Sequence, residues 1–511
     1  MREAALWAIP ALLFGFLLRS FMLSYSPYAY WGSDSRSYFD FTFKLYSEHY
    51  LSLVEKRRFL YPIFVALVNA LPGSPLRWLA FLQHALGLFT ILPVAYIIRK
   101  TCTHWRWWVV PVTLLYAGMP VLLWYEHELL AETVMFSMAA IAFAGWVAWV
   151  MEDRRERAAR LWWCFLIPFA CIILIKPSAR FFWPGIGLGL LYVCAWRKVN
   201  HAGLIAGLAL MVLTLFVGSK KQGAWLMYVA TFPLTDLESP LYAEYKAPIA
   251  DKVREHRDRI EHYFHEDEWV FSFLENPSKQ KEWPLWTKLE GQSALKPKMY
   301  QALALEGIKR NPELFFMMGR DRLAASANVS EFKEARFAGS YFPERFEDDY
   351  RHAGAAIAKG RASYEAMALG LARRGPLPPY DEIRQKLAPR PGSFAERFVT
   401  SWVAAFQAHS DLVAWPPGKQ HTLVGSSARL TPLGWYLVAS MLCAFLTRRS
   451  LRTHAPWVLA AVSYLSGVFL LTQVNPRYFG AVWTIFIPLL ALPLDLLATM
   501  IVRRKNSVAE G

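Results

Sequence analysis

The residues best suited to chemistry lie between Trp31 and Pro62, in WGSDSRSYFDFTFKLYSEHYLSLVEKRRFLYP. Asp34 supplies a carboxylate, Tyr38 a hydroxyl four residues later, and Lys56-Arg57-Arg58 a compact run of cations. The stretch separates two hydrophobic segments, so these groups fall where the first membrane helix leaves the bilayer. An acid and several cations at a membrane surface suit chemistry on a lipid with an anionic head. By spacing alone Asp34 also fits a helix N-cap ahead of residues 35–43, accepting from orphan backbone N–H groups.

Two more turns carry groups of the same kind. WYEHELLAE brings Glu126, His127, Glu128 and Glu132 together. Glu128 and Glu132 stand four apart and share a face if the helix that follows begins early. A carboxylate one turn into an apolar run is costly and points to a task, which singles out Glu132. Glu126 reads as a solvated loop acid. Asp34, Glu128 and Glu132 are also candidate metal ligands, although nothing in the sequence requires a divalent cation. Lys176 and Arg180 occupy IKPSARFFWP, and Arg477 and Tyr478 occupy QVNPRYFG. An anionic ligand accounts for cations there, since Arg offers a bidentate fork to phosphate and Lys a point charge. Anchoring beside lipid phosphates is the competing explanation for each residue taken alone.

The elements that must position these groups are membrane helices. The chain has 511 residues, 55% of them hydrophobic and 15% aromatic, with 22 tryptophans; its mean hydropathy is +0.21. That composition excludes an ordinary soluble domain. The net charge of +16 elsewhere points to nucleic acid, but here the cations fall in short loops between apolar runs, as orientation signals do. No nucleic-acid partner is expected. Cys102, Cys164, Cys171, Cys194 and Cys443 lie in or beside hydrophobic segments without metal-ligand spacing and read as small apolar side chains.

Apolar runs long enough to span begin with Ala4–Ser24, read as an uncleaved anchor with Arg19 snorkelling to the interface. Phe59–Leu71 is too short to cross and fits the membrane plane. Pro75–Ile98, Trp108–Trp124, Ala131–Met151, Leu161–Ile175, Phe181–Trp196 and Ala202–Gly218 follow. After a polar interval come Thr431–Leu446, Trp457–Thr472 and Phe479–Val502. About ten spans result. Arg99, Lys100, Arg106, Arg154, Arg197, Arg448, Arg449, Arg503 and Arg504 then share one side, the cytoplasm by the positive-inside rule. Both termini are expected there, with the Asp34 loop facing outward.

The expected fold class is an all-α polytopic membrane protein. Residues 1–218 form a membrane module of about seven spans, with an outer first loop at 25–74. Residues 219–430 form a mostly helical extracytoplasmic domain, and residues 431–511 about three closing helices. Helical patterns in the outer segment cover Asp251–Phe264, Lys298–Arg310 and Pro312–Asn328. His256, His262 and His265 lie there among acids, but without a recognised ligand spacing a solvated helical face explains them.

These motifs carry a resemblance. Arg19 ending the first span, then GSDSRSYFDF and RRFLYPIFVALV, resembles the start of bacterial membrane glycosyltransferases of the GT-C fold. These are the polyprenyl-phosphate-sugar enzymes that include protein mannosyltransferases and lipid A aminoarabinose transferases. PVLLWYEHELLAETVMF is similar to the family's proline, tyrosine and glutamate at the fourth helix, and IKPSARFFWP to its basic-proline turn. NPRYFGAVWTIFIPLL resembles its late Arg-Tyr motif, and MYQALALEGIKRNPELFFMMGRDR a stretch often found outside the membrane in these proteins. Many relatives carry two adjacent acids in the first loop, whereas Asp34 is followed by Ser35, which weakens a metal held by an acid pair.

The resemblance implies transfer of a sugar from a polyprenyl phosphate carrier to a lipid, glycan or protein acceptor, with inversion. It implies an inner-membrane location in bacteria, with residues 219–430 in the periplasm. Asp34 is then the candidate base, Tyr38 its positioner, and Glu132 the group that orients acceptor or metal. Arg36, Arg57, Arg58, Lys176, Arg180, Arg477 and Tyr478 are the candidates for the donor phosphate. A transporter or flippase remains a rival and predicts ionisable residues near the midplane with broken helices. A membrane-bound acyltransferase predicts a central intramembrane histidine. His84 is the one embedded candidate, and with no acidic neighbour in sequence it reads as a satisfied core residue.

Overall fold

Prolines decide where many of the helices start and break. The computed structural model describes residues 2–31, 35–47, 59–197, 220–258, 295–326, 367, 381–382, 385, 392–414, 429–471 and 476–509, and these are mostly helical. Helices α1 (Arg2–Trp7) and α2 (Ile9–Tyr25) follow one another across Ala8. In the first loop α3 (Ser35–Ser47) packs on α4 (Leu60–Asn69). Helix α5 (Pro75–Phe89) begins on a proline, whose missing N–H is harmless in a first turn. It continues through α6 (Ile91–Thr101) as one span of 27 residues. Helix α7 (Trp105–Gly118) stops before Pro120, and α8 (Pro120–His127) restarts there at 45°. Pro120 disfavours helical backbone in Met119, which is extended.

Helices α9 (Glu132–Val150) and α10 (Arg155–Ile175) form an antiparallel hairpin, with Trp149 and Trp162 ring centroids 4.7 Å apart near its closed end. Apolar on nearly every face and buried on most, α9 is the helix on which α5, α6, α8 and α10 pack. A 3-10 turn over Pro177–Phe182 leads into α11 (Trp183–Arg197).

A second, smaller core gathers α12 (Lys220–Thr231), α13 (Ala250–Asp258), α14 (Leu295–Arg310) and α15 (Pro312–Ser326) around Tyr228, Phe232, Tyr245 and Tyr300. The expected outer helices are present over the described residues, which in the first of them stop at Asp258. Lys246 and Glu306 pair at 2.7 Å beside that core. His256 is buried against Phe232, not on a solvated face, while His262 and His265 lie outside the described residues.

The last part contains α16 (Phe394–Ser410), a two-residue pair of β1 (Val413–Ala414) and β2 (Arg429–Leu430), α17 (Pro432–Cys443) and α18 (Arg448–Thr453). Three helices close the chain: α19 (Ala455–Leu471), α20 (Pro476–Leu489) and α21 (Ala491–Ala509). Helix α19 holds the smaller core, since Arg322 of α15 donates to Phe469 O at 3.3 Å. Phe182 stacks on Tyr464 at 4.2 Å, which places the start of α11 against α19.

Among the described residues four helices are long and apolar enough to cross a membrane: Pro75–Thr101, Glu132–Val150, Glu156–Ile175 and Val482–Arg504. The bent α7–α8 pair makes a fifth, and Ile9–Tyr25, Leu60–Asn69, Pro432–Cys443 and Ala455–Leu470 are shorter apolar helices. The chain is therefore a multi-pass membrane protein with fewer full-length spans among the described residues than sequence counting predicts. Ala202–Gly218 lies outside the described residues.

Helix α16, from the segment read as extracytoplasmic, packs along α2. Phe398 meets Phe21 at 5.0 Å, Trp402 meets Phe14 at 4.9 Å, and Trp402 Nε1 donates to Gly118 O at the break between α7 and α8. The two helices run antiparallel, so Ser410 falls about 12 Å beyond Trp402, towards the end where α2 begins. Leu412 then accepts from Thr431 N, and Tyr436 of α17 donates to Leu490 O at 2.6 Å. Hydropathy missed this packing because Glu396, Arg397 and Gln407 interrupt the apolar pattern. Its apolar face, Ala395, Val399 and Val403, is buried.

Candidate functional site

The site is built on the turn between α8 and α9. Four successive carbonyls there, orphans of a helix end, each find a partner. Gln83 Nε2 donates to Glu126 O at 3.1 Å and to Glu128 O at 2.8 Å. Tyr30 N donates to His127 O at 2.8 Å, and Ser35 Oγ donates to Leu129 O at 3.2 Å. The turn is thereby tied to α5, to the 26–31 connection and to the start of α3. Tyr61 completes the scaffold: its hydroxyl donates to Gln83 Oε1 at 2.7 Å, and its ring meets Tyr38 edge-on at 5.0 Å. Tyr30 itself is buried, and that burial pushes its hydroxyl up, with Tyr25 adding to the shift.

Glu128 and Glu132 do not share a helix face. Helix α9 starts at Glu132, and Glu128 is the extended residue that ends α8. Glu128 accepts from Trp124 Nε1 at 3.0 Å, and Glu132, fully buried, forms an ion pair with Lys176. Both carboxylates lie within electrostatic reach of Tyr61. Among the described residues no group of three His, Cys, Asp or Glu side chains is arranged to hold a metal, so Glu128 and Glu132 are not assigned as metal ligands.

Lys176 is buried at the end of α10, whereas Arg180 is exposed with its guanidinium 5.2 Å from the Phe181 ring. The start of α20 stands beside the start of α9. A Cβ on Gly480 would lie 2.7 Å from the Phe136 ring, and Phe136 is one turn into α9 as Gly480 is one turn into α20. The first turn of α20, which carries Arg477 and Tyr478, therefore stands at the level of Glu132. Three hairpin ends far apart in sequence thus meet: the α3 start, the α8–α9 turn and the α10 end, with the α20 start alongside.

Asp34, Arg57 and Arg58 lie outside the described residues, and of Arg36, Arg477 and Tyr478 only the backbone is described. Tyr38 is buried in the scaffold under α3, packed on Tyr61.

Sequence reasoning missed a buried ionic chain just beneath the turn. Arg19 is only 3% exposed and does not snorkel; its Nη2 lies 2.6 Å from Glu126 Oε1. Glu126 is not a solvated loop acid, for its Oε2 lies 2.9 Å from His84 Nδ1. His84 Nε2 lies 2.8 Å from His127 Nδ1. Arg19 Nη1 also donates to Ala117 O at 3.1 Å, beside the break between α7 and α8. His84 does have an acidic neighbour, supplied by another helix. One signal was available: Glu126 and His127 lie at the end of an apolar run, as Glu132 lies at the start of one.

Comparison with protein-family models, with curated proteins and with solved structures gave no match.

Proposed function

We propose that this protein is a membrane glycosyltransferase that moves a sugar from a polyprenyl phosphate carrier to an acceptor at the outer face of a bacterial inner membrane. The observation that supports this most is the meeting of the α3 start, the α8–α9 turn and the Lys176 turn, each bringing part of the required chemistry. In this reading the basic end of the bundle, with Arg99, Arg106 and Arg449, faces the cytoplasm.

The reaction asks little of the chain beyond one base and several cations. An acceptor oxygen attacks the anomeric carbon, its proton passes to Asp34, and the C–O bond to the carrier phosphate breaks. The electron pair of that bond leaves with the phosphate. Lys176 and Arg477, with Arg36, Arg57, Arg58 and Arg180, neutralise the departing charge, and Tyr478 donates to it. Glu132 holds Lys176 in place. No step depends on a metal.

The test is transfer by the full chain in lipid bilayers, with a panel of polyprenyl phosphate sugars and cell-envelope acceptors. A covalent glycosylated product that vanishes in Asp34→Asn supports the reading, and no product across the panel removes it. A proton-coupled transporter is the second reading, favoured by the bend at Met119 and the Arg19–Glu126–His84 chain beside it. Proton-dependent movement of a lipid-linked or anionic solute with no covalent product would select it.

A further inference from the structure

Arg19, Glu126, His84 and His127 take no part in the transfer chemistry, yet they are joined without a gap and none is more than 3% exposed. His84 lies about 13 Å along α5 from its start, well inside the helical layer. Ionisable groups at such depth are costly, and a fold that needed only packing there would fill the space with apolar residues. Space is reserved instead: a Cβ on Gly87 would overlap the Glu126 carboxylate.

We propose that His127, His84 and Glu126 form a proton-binding relay that takes up one proton at the His127 end and holds the charge beside the Glu126 carboxylate.

The hydrogen-bond geometry admits both states without moving a heavy atom. With Glu126 ionised, His84 donates from Nδ1 and leaves Nε2 as an acceptor. His127 must then donate from Nδ1, which puts its open position at Nε2, beside the backbone of Ser26 and Tyr28. A proton arriving at His127 Nε2 allows the Nδ1 proton to pass to His84 Nε2. The product is a neutral His127 and a His84 imidazolium 2.9 Å from the carboxylate. One proton has entered and one positive charge has been added.

The surroundings set the balance. Arg19 on α2 opposes the added charge through the carboxylate it shares. Tyr116 on α7 faces both Arg19 and Glu126, and Tyr30 packs its ring on His127 at 4.5 Å. Tyr61 on α4 with Glu128 and Glu132 lies on the turn side, and Glu396 on α16 faces Tyr25. The relay adjoins the candidate site, because Gln83, next to His84, holds the carbonyls of Glu126 and Glu128.

The test uses the full chain with ¹⁵N-labelled histidine in lipid bilayers, followed by solid-state NMR from about pH 8 to about pH 5. The expected result is a pair of neutral Nδ1–H imidazoles, picked out from the twelve histidines by their loss in His84→Gln and His127→Gln, that converts to one imidazolium per pair as the pH falls. That conversion should be lost in His127→Gln and moved to lower pH in Glu126→Gln. Two imidazoles that stay neutral throughout, or that titrate independently of each other and of Glu126, overturn the proposal. Should Glu126→Gln fail to fold, the wild-type spectrum read against His127→Gln decides. The readout needs no substrate, so it stands or falls apart from transfer activity.

Discussion

Lys176 and Glu132 form an ion pair across the open end of the α9–α10 hairpin, with Glu132 at the start of one helix and Lys176 just past the end of the other. Each charge suits the helix terminus it occupies, the carboxylate near backbone N–H groups and the ammonium near carbonyls. Both residues are buried, so neither can lose its partner cheaply. Lys176→Met alone or Glu132→Gln alone should cost about 3–5 kcal/mol of stability by stranding a buried charge. The double variant should recover much of that loss. Thermal unfolding of the four forms in detergent measures it, and additive single effects would argue against the pair.

Asp34→Asn should lower transfer by about a hundredfold or more, the contribution of a general base. Its membrane insertion and melting temperature should match the wild type. Near-normal turnover would remove the base assignment.

Arg477→Met should weaken use of the carrier with little change in melting temperature. Donor titrations at saturating acceptor provide the check, and an unchanged donor KM would discard the phosphate role.

Gln83→Met keeps the shape of the side chain but leaves the Glu126 carbonyl and the Tyr61 hydroxyl without their partner, and the Glu128 carbonyl with Leu130 N alone. Each unsatisfied buried group costs about 1–3 kcal/mol. Faster hydrogen exchange of residues 126–130 is expected, with no comparable change in α19. Unaltered exchange would show that the turn is held by other means.

Packing of α16 on α2 predicts that Asp411 lies towards the same end as Arg99 and Arg106. A cysteine at 411 should react with an impermeant reagent from that side only. Reaction from the opposite side would contradict that placement.

His454 gives a pH prediction. Burial pushes its imidazole down to about 3, with Arg449 adding to the shift. The unfolded chain then binds a proton that the folded one refuses. Stability is complete above the ordinary histidine value near 6.5 and falls as the pH drops from there towards 3, by up to roughly 1.4 kcal/mol per pH unit. His454→Phe should flatten that acid limb in an unfolding series; an unchanged limb would assign it to other groups.

The helical, membrane-embedded class was legible from the chain because apolar runs and loop cations are local properties that need no contacts. Helix starts at Pro75 and Pro312 were legible for the same reason: a proline acts on its own backbone. Partnerships were not legible. Arg19 and Glu126 are 107 positions apart, and read one at a time each resembled an interfacial charge. Helix α16 escaped because two charges in its first turn defeat an averaged hydropathy, although its buried face is apolar. Composition and spacing determined what kinds of group the chain carries and which apolar runs they adjoin. Only the tertiary structure decided which carboxylate meets which cation, since burying a charge is tolerable only beside a partner and that partner comes from a distant helix.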